Sequence, residues 1–183
     1  MFIEIRWHGR GGQGVVTASR ILAEAALLDG RYVQAFPEFG PERTGAPVRS
    51  FTRISDKPID LHSQVYNPDV VAVIDPTVLS PKVYGDLREG GKLIVNSGKT
   101  PEELTREIGN SRLKLYTVNA TRIALDVLGR PIYNTPILGA LIKATEAASL
   151  DSVIKAVSQR FPGAVGEKNV KAIIRAHGEV RSA

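Results

Sequence analysis

The sequence contains no cysteine, and this absence excludes a whole range of chemistry. A chain without thiols has no disulfide bonds, no cysteine nucleophile, no cysteine-based zinc finger and no ligands for a cysteine-bound iron–sulfur cluster. Chains of this kind suit a reducing compartment, so we expect a cytoplasmic protein.

Long apolar runs and runs of like charge are also missing. No segment approaches the roughly 18 consecutive apolar residues of a membrane-spanning helix, and the first residues lack the basic and apolar regions of a secretory signal. Lys and Arg number 24 against 19 Asp and Glu, giving a net charge of +5, and they are scattered along the chain. We therefore expect no membrane and no nucleic acid partner, and a basic surface suited to an anionic small molecule or an acidic protein.

Few side chains offer catalysis or metal binding. The three histidines, His8, His62 and His177, include no pair with the spacing of metal ligands, and the serines fall in ordinary caps and helices. His8 precedes a glycine-rich segment, where it either contacts a ligand or is simply hydrogen-bonded. The sequence therefore predicts no metal site and no catalytic residue in this chain.

Composition and periodicity predict an α/β protein. Hydrophobic residues make up 43% and charged residues 23% of the 183 residues, which is typical of one globular domain, here 1–183. Apolar runs and alternation predict strands over residues 2–7, 32–36, 48–54, 69–75, 92–96 and 113–118, with helical spacing between most of them and throughout the C-terminal third. Among the intervening helices, we expect one over residues 77–87 and one over residues 119–128.

The connection over residues 37–47 decides the kind of sheet. It has no helical pattern and is shorter than the dozen or more residues that a parallel crossover usually needs. We therefore expect the flanking strands to be antiparallel. The overall prediction is a three-layer α/β/α fold with a mixed, mostly parallel sheet and a helical C-terminal third.

A glycine-rich segment lies between the first strand and the first helix. It is a complete G-x-G-x-x-G: Gly9, Arg10, Gly11, Gly12, Gln13 and Gly14. Glycines allow close backbone approach to a ligand, and the following helix offers free N–H groups to an anion, with Arg10 adding a charge-assisted contact. The alternative is a tight turn that binds nothing.

Glu38 stands roughly where a dinucleotide site places its ribose-binding acid. It lies, however, in a proline-rich loop, and no second domain is present to bind a hydride-transfer substrate. A stand-alone NAD dehydrogenase is therefore disfavoured, while an independent nucleotide-binding module stays open.

The loop from Phe36 to Arg49 is long, and it contains three prolines and two glycines. Ordered loops of this length in small domains usually have a function, although a plain surface loop is the alternative. Arg49, Phe51 and Arg53 share one face of the following strand, which is either a solvated edge or, together with Arg43, a protein or phosphate contact. Asp75 ends a buried strand where α/β sheets place ligand contacts, but we favour a helix N-cap.

These two segments carry a resemblance to a known family. They are Arg10-Gly11-Gly12-Gln13-Gly14-Val15 and Phe36-Pro37-Glu38-Phe39-Gly40-Pro41-Glu42-Arg43-Thr44-Gly45-Ala46-Pro47-Val48-Arg49. Together with Asp75-Pro76-Thr77 and Asn134-Thr135, they resemble the gamma subunits of 2-oxoacid:ferredoxin oxidoreductases over essentially the whole chain. The second segment is more similar to the pyruvate and branched-chain members than to the 2-oxoglutarate members.

The resemblance implies a subunit of a complex that converts a 2-oxoacid, above all pyruvate, and coenzyme A to an acyl-CoA and CO2 while reducing ferredoxin. It implies alpha, beta and delta partners, which hold thiamine diphosphate and the iron–sulfur clusters, and a gamma chain that is inactive alone. A role for the loop from Gly9 to Gly14 in binding coenzyme A is the corresponding hypothesis. For the second loop we predict a subunit contact, with Phe39 as an apolar anchor and Arg43 and Arg49 facing a partner chain.

Overall fold

A computed structural model describes residues 1–38, 40 and 43–183 of the chain. The strands are β1 (Phe2–Arg10), β2 (Tyr32–Pro37), β3 (Pro47–Ser55), β4 (Val70–Val73), β5 (Lys92–Asn96), β6 (Lys114–Val118) and β7 (Arg181–Ser182). The α-helices are α1 (Val15–Leu28), α2 (Pro81–Tyr84), α3 (Pro101–Ile108), α4 (Ala120–Ile123), α5 (Asn134–Thr145), α6 (Leu150–Arg160) and α7 (Ala164–Glu179). A 3-10 turn spans Pro76–Val78, and a π-helical turn over Ala124–Leu128 continues α4.

The strands form one seven-stranded sheet in the order β2-β3-β1-β4-β5-β6-β7. β1 pairs in parallel with β4, and the parallel pairing continues through β5 to β6. β3 is antiparallel to both β1 and β2, and β7 is antiparallel to β6. The predicted mixed sheet is thus confirmed, including the antiparallel pair on either side of the 37–47 loop.

Two helical layers of unequal size cover the sheet. The larger core lies under α1, α5, α6 and α7 and receives Trp7, Ile54 and Ala72, among others, from the sheet. A smaller core lies under α2 and α3, where alternate residues of the parallel strands, such as Val71 and Val73, point the opposite way. The three-layer α/β/α prediction is confirmed, and the larger of the two cores includes the buried faces of α5, α6 and α7.

Several predicted elements differ in extent. β1 continues through Gly9 and Arg10, because both pair with β3, so the glycine turn is shorter than the motif. A single helix over 77–87 is wrong: a 3-10 turn and the four-residue α2 stand there instead, because Ser80-Pro81 restarts the chain. The two-residue β7 has no periodic signal and was not predicted.

The order of the strands places the glycine-rich segment at a favourable edge. The chain leaves β1 toward β2 and β3 on one side and returns to β4 on the other, so the connections diverge at the carboxyl ends of β1 and β4. Ligands of open α/β sheets bind in the crevice at such a point. The turn after Arg10 and the segment beginning at Asp75 both lie there.

Candidate functional site

The side chain of Gln13 locks the glycine turn from within. Its Oε1 accepts a hydrogen bond from the backbone N–H of Arg10 at 2.7 Å, and its Nε2 donates to Oδ2 of Asp75 at 2.6 Å. The backbone N–H of Gln13 also donates to the carbonyl of Arg10 at 3.1 Å. Gln13 therefore shapes the turn, and a contact of Gln13 with a cofactor stays a prediction.

Asp75 is an N-cap, as favoured from the sequence, and it also braces the turn. Oδ1 accepts from the backbone N–H and the hydroxyl of Thr77 at 2.8 and 2.7 Å. Burial opposes ionisation, but these hydrogen bonds, that of Gln13 and the nearby Arg10 outweigh it, so the pKa of Asp75 lies below its ordinary value. Asp75 is therefore ionised, and both of its carboxylate oxygens already accept hydrogen bonds from neighbouring residues of the chain.

The two sequence motifs form one structure. The N–H of Gly11 donates to the carbonyl of Ala46 at 2.8 Å, and the N–H of Gly45 donates to the carbonyl of Gly11 at 3.1 Å. A Cβ on Gly11 would lie 2.5 Å from the carbonyl oxygen of Arg43. Gly11 is therefore a glycine because the second loop lies directly against it.

Arg10 strengthens the same junction. Its Nε donates to the hydroxyl of Thr77 at 2.8 Å, and Nη1 donates to the carbonyl of Gly45 at 3.1 Å. The side chain is about one-third exposed, so its remaining donors can still reach a ligand. Arg10 therefore connects the two loops by hydrogen bonds and also contributes a positive charge to the cleft between them.

Gly12 is the position at which the turn opens toward solvent. Its φ is +89°, and the nearest atom to a Cβ built there is Cγ2 of Thr44 at 3.9 Å. The backbone conformation favours glycine, but no neighbouring side chain demands it. At this position in the cleft, the open space leaves room for a ligand to approach the backbone.

A cleft of about 740 Å³ lies between the two loops. The glycine turn, the first turn of α1 and the second loop line it, with Val16, Pro37 and Val48 as apolar wall and Arg10, Arg43 and Arg49 as cations. At its floor α1 begins after Gly14, and no side chain caps this end among the described residues. The first N–H groups of a helix are free to bind an anion, so the cleft fits a phosphate bound to an apolar arm.

The three predicted partner-contact residues have different outcomes. Arg43 is exposed and lines the cleft, and its side chain makes no hydrogen bond or ion pair with the described residues. Arg49 forms a bidentate pair with Glu38 of its own chain, and this hydrogen-bonded pair raises the pKa of Arg49. Phe39 lies outside the described residues.

The face that bears Arg49, Phe51 and Arg53 is not a solvated edge. Phe51 and Arg53 are each 1% exposed: the Phe51 ring packs against that of Phe36, and Arg53 donates to the carbonyl of Gln64. Nε of Arg53 donates to Oε1 of Glu4 at 2.8 Å, and its guanidinium lies 5.5 Å from the centre of the Phe36 ring. Only Arg49, at the end of this row, reaches the cleft.

His8 lies on β1, directly opposite Arg49 of β3, and is 5% exposed. Its Nε2 accepts a hydrogen bond from Nε of Arg6 at 2.9 Å, while the Arg6 head is held by Asp86. Burial, followed by the charges of Arg6 and Arg49, lowers the pKa of His8 from 6.5 to about 3. His8 is therefore the hydrogen-bonded neutral histidine that the sequence left as one of two alternatives.

A second cavity of about 480 Å³ lies on the opposite side of the glycine turn. Sequence reasoning missed it, because its walls come from separated segments: the chain after the π-helical turn, the end of α6 and the start of α7. Asn134, at the start of α5, connects this region to the glycine turn: its Nδ2 donates to the carbonyl of Gly14 at 3.3 Å. Thr135 continues the chain of contacts by donating to Oδ1 of Asn169 at 2.7 Å.

The described part of the chain has neither a metal-binding cluster nor a membrane-spanning helix. No group of three or more His, Cys, Asp or Glu residues there is arranged to hold a metal ion. None of its helices is long and apolar enough to cross a membrane.

The fold and the cleft define an α/β protein whose glycine turn is suited to an anionic ligand. The family model for pyruvate ferredoxin/flavodoxin oxidoreductases matches residues 4–179, and the chain belongs to this family. A curated relative, the pyruvate/ketoisovalerate oxidoreductases common subunit gamma of Thermococcus litoralis, is 57% identical over 93% of this chain and 92% of its own.

Solved structures agree with this assignment. The pyruvate oxidoreductase subunit PORC of Thermotoga maritima is 46% identical, with a TM-score of 0.89 over 100% of this chain and 98% of its own. The 2-oxoglutarate:ferredoxin oxidoreductase of Magnetococcus marinus, solved with 2-oxoglutarate, coenzyme A and succinyl-CoA bound, matches 97% of this chain and 30% of its own. At 20% identity and a TM-score of 0.79, that likeness shows the fold alone. The family predicted from the two loops is confirmed.

Proposed function

We propose that the chain is the gamma subunit of a pyruvate:ferredoxin oxidoreductase and supplies part of the coenzyme A site. The reaction of the complex is the oxidation of pyruvate with coenzyme A to acetyl-CoA and CO2, with electrons passed to ferredoxin. Relatives named as a pyruvate synthase subunit and a pyruvate oxidoreductase subunit, which match over nearly the full length of both chains, support this proposal.

One observation carries the coenzyme A role. The glycine turn and the second loop are hydrogen-bonded into a single cleft that has an open backbone at Gly12, uncapped helix N–H groups and arginines at the rim. Coenzyme A combines phosphates with a long pantetheine arm, and both halves of this cleft suit it: amides and cations for the phosphates, valine and proline for the arm.

The rest of the chemistry belongs to other chains of the proposed complex. This chain has no cysteine and offers no ligands for an iron–sulfur cluster, so alpha, beta and delta subunits would hold the clusters and thiamine diphosphate and would reach ferredoxin. The gamma chain binds and orients coenzyme A and contacts its partners through the second loop. A cytoplasmic location and a single domain over 1–183 are part of the same proposal.

Gly12→Val in the assembled complex tests the coenzyme A role. The side chain would stand where the ligand approaches, so we expect the apparent KM for coenzyme A to rise at least about tenfold, the scale of one lost charge-assisted contact. The KM for pyruvate stays close to its wild-type value. Steady-state kinetics with each substrate varied in turn gives both numbers.

Gly30→Val is the matched control for backbone strain. Gly30 has a φ of +78° and no atom within 4 Å of its Cβ position, but it lies at the far end of α1. It pays a similar conformational cost without touching the cleft, so its KM for coenzyme A stays unchanged. If Gly12→Val assembles normally and its KM for coenzyme A does not move, the loop does not bind this substrate.

A second candidate is a gamma subunit shared between two complexes. The Thermococcus litoralis relative is named a common subunit of pyruvate and ketoisovalerate oxidoreductases. Tagging this chain at its C-terminus and purifying its complexes from the native cell distinguishes the candidates. One set of partner subunits and activity with pyruvate alone supports the first; two sets, with additional branched-chain activity, support the second.

A further inference from the structure

The edge strand β2 lacks the protection that most sheet edges have. It is the first strand in the sheet order and pairs with β3 on one side only. Soluble proteins usually shield such edges with charged side chains, bulges or a covering segment, because the free N–H and C=O groups can pair with another chain. The sequence of β2, Tyr-Val-Gln-Ala-Phe-Pro, contains no charged residue, so only its final proline protects this edge.

The ladder with β3 shows which backbone groups of β2 point outward. The N–H of Glu38 donates to the carbonyl of Arg49 at 3.0 Å, and hydrogen-bonded and non-hydrogen-bonded pairs alternate along an antiparallel ladder. The even-numbered residues of β2 therefore bond to β3, while the N–H and C=O groups of Val33 and Ala35 face the free edge. These outward groups have no backbone partner among the described residues, and both residues are only half-buried.

A second copy of β2 satisfies these outward groups in one register. When two antiparallel copies meet with Gln34 on the two-fold axis, Val33 of each strand lies opposite Ala35 of the other. The N–H and C=O groups of both residues then pair across the axis. The next outward position is Pro37, which has no N–H to donate, so the pairing ends at the proline.

The side chains at this edge also suit a second copy. In the same register Tyr32, which is 49% exposed, lies opposite Phe36 of the other strand. This is a non-hydrogen-bonded pair, in which side chains come closest and aromatic pairs stabilise the sheet. Leu61, which is 45% exposed, lies near the axis, because its carbonyl accepts a hydrogen bond from Nε2 of Gln34 at 2.9 Å.

We propose that two copies of this chain associate through β2, in antiparallel pairing about a two-fold axis at Gln34. The contact joins two seven-stranded sheets into one continuous sheet. Charge favours the antiparallel direction, because Arg31 precedes β2 and Glu38 follows it, so opposite charges meet at each end of the pair. The inference goes beyond the proposed function, since it concerns the number of copies in one assembly and not the ligand of the cleft.

The absence of cysteine allows a specific cross-link to test the register. Gln34→Cys places one thiol of each copy at the axis, in a pair whose Cα separation of about 4.5 Å suits a disulfide. Oxidised glutathione, added to the full chain and to the purified complex, should give a product of twice 19.8 kDa that disappears on reduction. Tyr66→Cys is the control: it is exposed next to Asn67, which bonds to the carbonyl of Asp86 away from β2, and should give no such product.

Sedimentation equilibrium measures the association itself, and the wild-type mass should rise with concentration toward twice 19.8 kDa. Ala35→Pro removes one outward N–H from each copy and no hydrogen bond to β3, so the dimer Kd should rise at least about tenfold. Tyr32→Ser should also raise the Kd, whereas Tyr66→Ser makes the same change away from the edge and should leave it unchanged. Far-UV circular dichroism checks that each variant is folded.

Three results would overturn the proposal. The first is a wild-type chain that stays monomeric at every concentration, with no cross-link through Gln34→Cys in the chain or in the complex. The second is a dimer that folded Ala35→Pro and Tyr32→Ser leave unchanged, because the contact then lies elsewhere. The third is loss of another subunit from the complex in Ala35→Pro without a Gln34→Cys product, because the edge then receives a strand of that subunit. The effect of Gly12→Val on the KM for coenzyme A is independent of all three, so failure of this inference and failure of the proposed function are distinguishable.

Discussion

Two buried threonine hydroxyls of the sheet show how a single group affects stability. The hydroxyl of Thr52 accepts from Nε1 of Trp7 and donates to the carbonyl of Ser19, both at 3.0 Å. The hydroxyl of Thr117 is buried and has no hydrogen-bond partner among the described residues. A buried hydroxyl without a partner carries its desolvation penalty uncompensated.

Thr117→Val is therefore expected to raise the free energy of unfolding by about 1 kcal/mol, because it removes the unpaired hydroxyl and keeps the β-branched shape. Thr52→Val makes the same chemical change where the hydroxyl is paired, and should lower stability by about 1–3 kcal/mol by stranding the Trp7 donor. Urea unfolding of both variants measures the two values. Equal losses would contradict the reading of Thr117.

His8 gives the protein a defined response to pH. Its folded-state pKa is about 3, against 6.5 for an exposed histidine, because of burial and the neighbouring Arg6 and Arg49; Asp86 acts in the opposite direction. Between pH 3 and pH 6.5, His8 is protonated in the unfolded chain but neutral in the folded protein. Stability therefore rises with pH across this window and is lost as the pH falls below about 6.5.

We expect wild type to lose about 1–2 kcal/mol between pH 6.5 and about pH 5 through this group. His8→Gln keeps an acceptor for Arg6 but cannot titrate, so its stability should depend less on pH in that window. His177, whose pKa is also lowered by burial and by Lys143, contributes with the same sign. His177→Gln is the comparison: if it flattens the profile as much as His8→Gln, His8 is not the main group.

At the scale of elements, the junction between the glycine turn and the second loop depends on Gly11. The two backbone hydrogen bonds of Gly11 hold the loops together at a distance that leaves no room for a Cβ. At Gly178, by contrast, no close contact requires a glycine. This residue lies near the end of α7 with nothing within 4 Å of its Cβ position.

Gly11→Ala is expected to destabilise the protein by about 1–3 kcal/mol, since the Arg43 carbonyl must move. Gly178→Ala should stabilise it by about 0.5–1 kcal/mol through helix propensity. Thermal unfolding ranks the two variants. Protease cleavage in the 38–49 loop should also become faster in Gly11→Ala alone, because the loop loses its anchor; unchanged cleavage would mean that the junction does not hold it.

At the scale of the whole molecule, the end of the sheet that bears both loops also bears the exposed Arg43. Prolines in the second loop restrict its unbound conformations, so docking to another subunit costs less entropy than for a flexible loop. An arginine with no partner in the described part of its own chain is suited to a forked pair with a carboxylate of a neighbouring subunit.

Arg43→Ala should therefore weaken co-purification with the alpha or beta subunit, because a desolvated ion pair typically contributes on the order of 2–5 kcal/mol. The isolated chain should melt as wild type does. Arg112→Ala, an exposed arginine outside both cavities, should assemble normally. Tight assembly of Arg43→Ala with lost turnover would place Arg43 in the ligand site, and no effect of either kind would exclude both roles.

The sequence by itself determined those features that depend on neighbouring residues. Apolar runs defined the buried strands, and the short connection over 37–47 dictated an antiparallel pair. Thr100 and Glu103, three residues apart, form a capping box at the start of α3. The two loop motifs also identified the family. Each of these follows from local geometry, whether period, cap or crossover length, so no tertiary information is needed.

Only the tertiary structure decided which distant residues share a site. Gly11 meets Ala46, Gln13 meets Asp75, and Asn134 reaches Gly14 across 120 residues of sequence. Long-range pairing also buried Arg53 against Glu4, whereas alternation alone left its face open between solvent and a partner. The second cavity has no sequence signal, because its cations come from three segments that meet only when the C-terminal helices pack against α1.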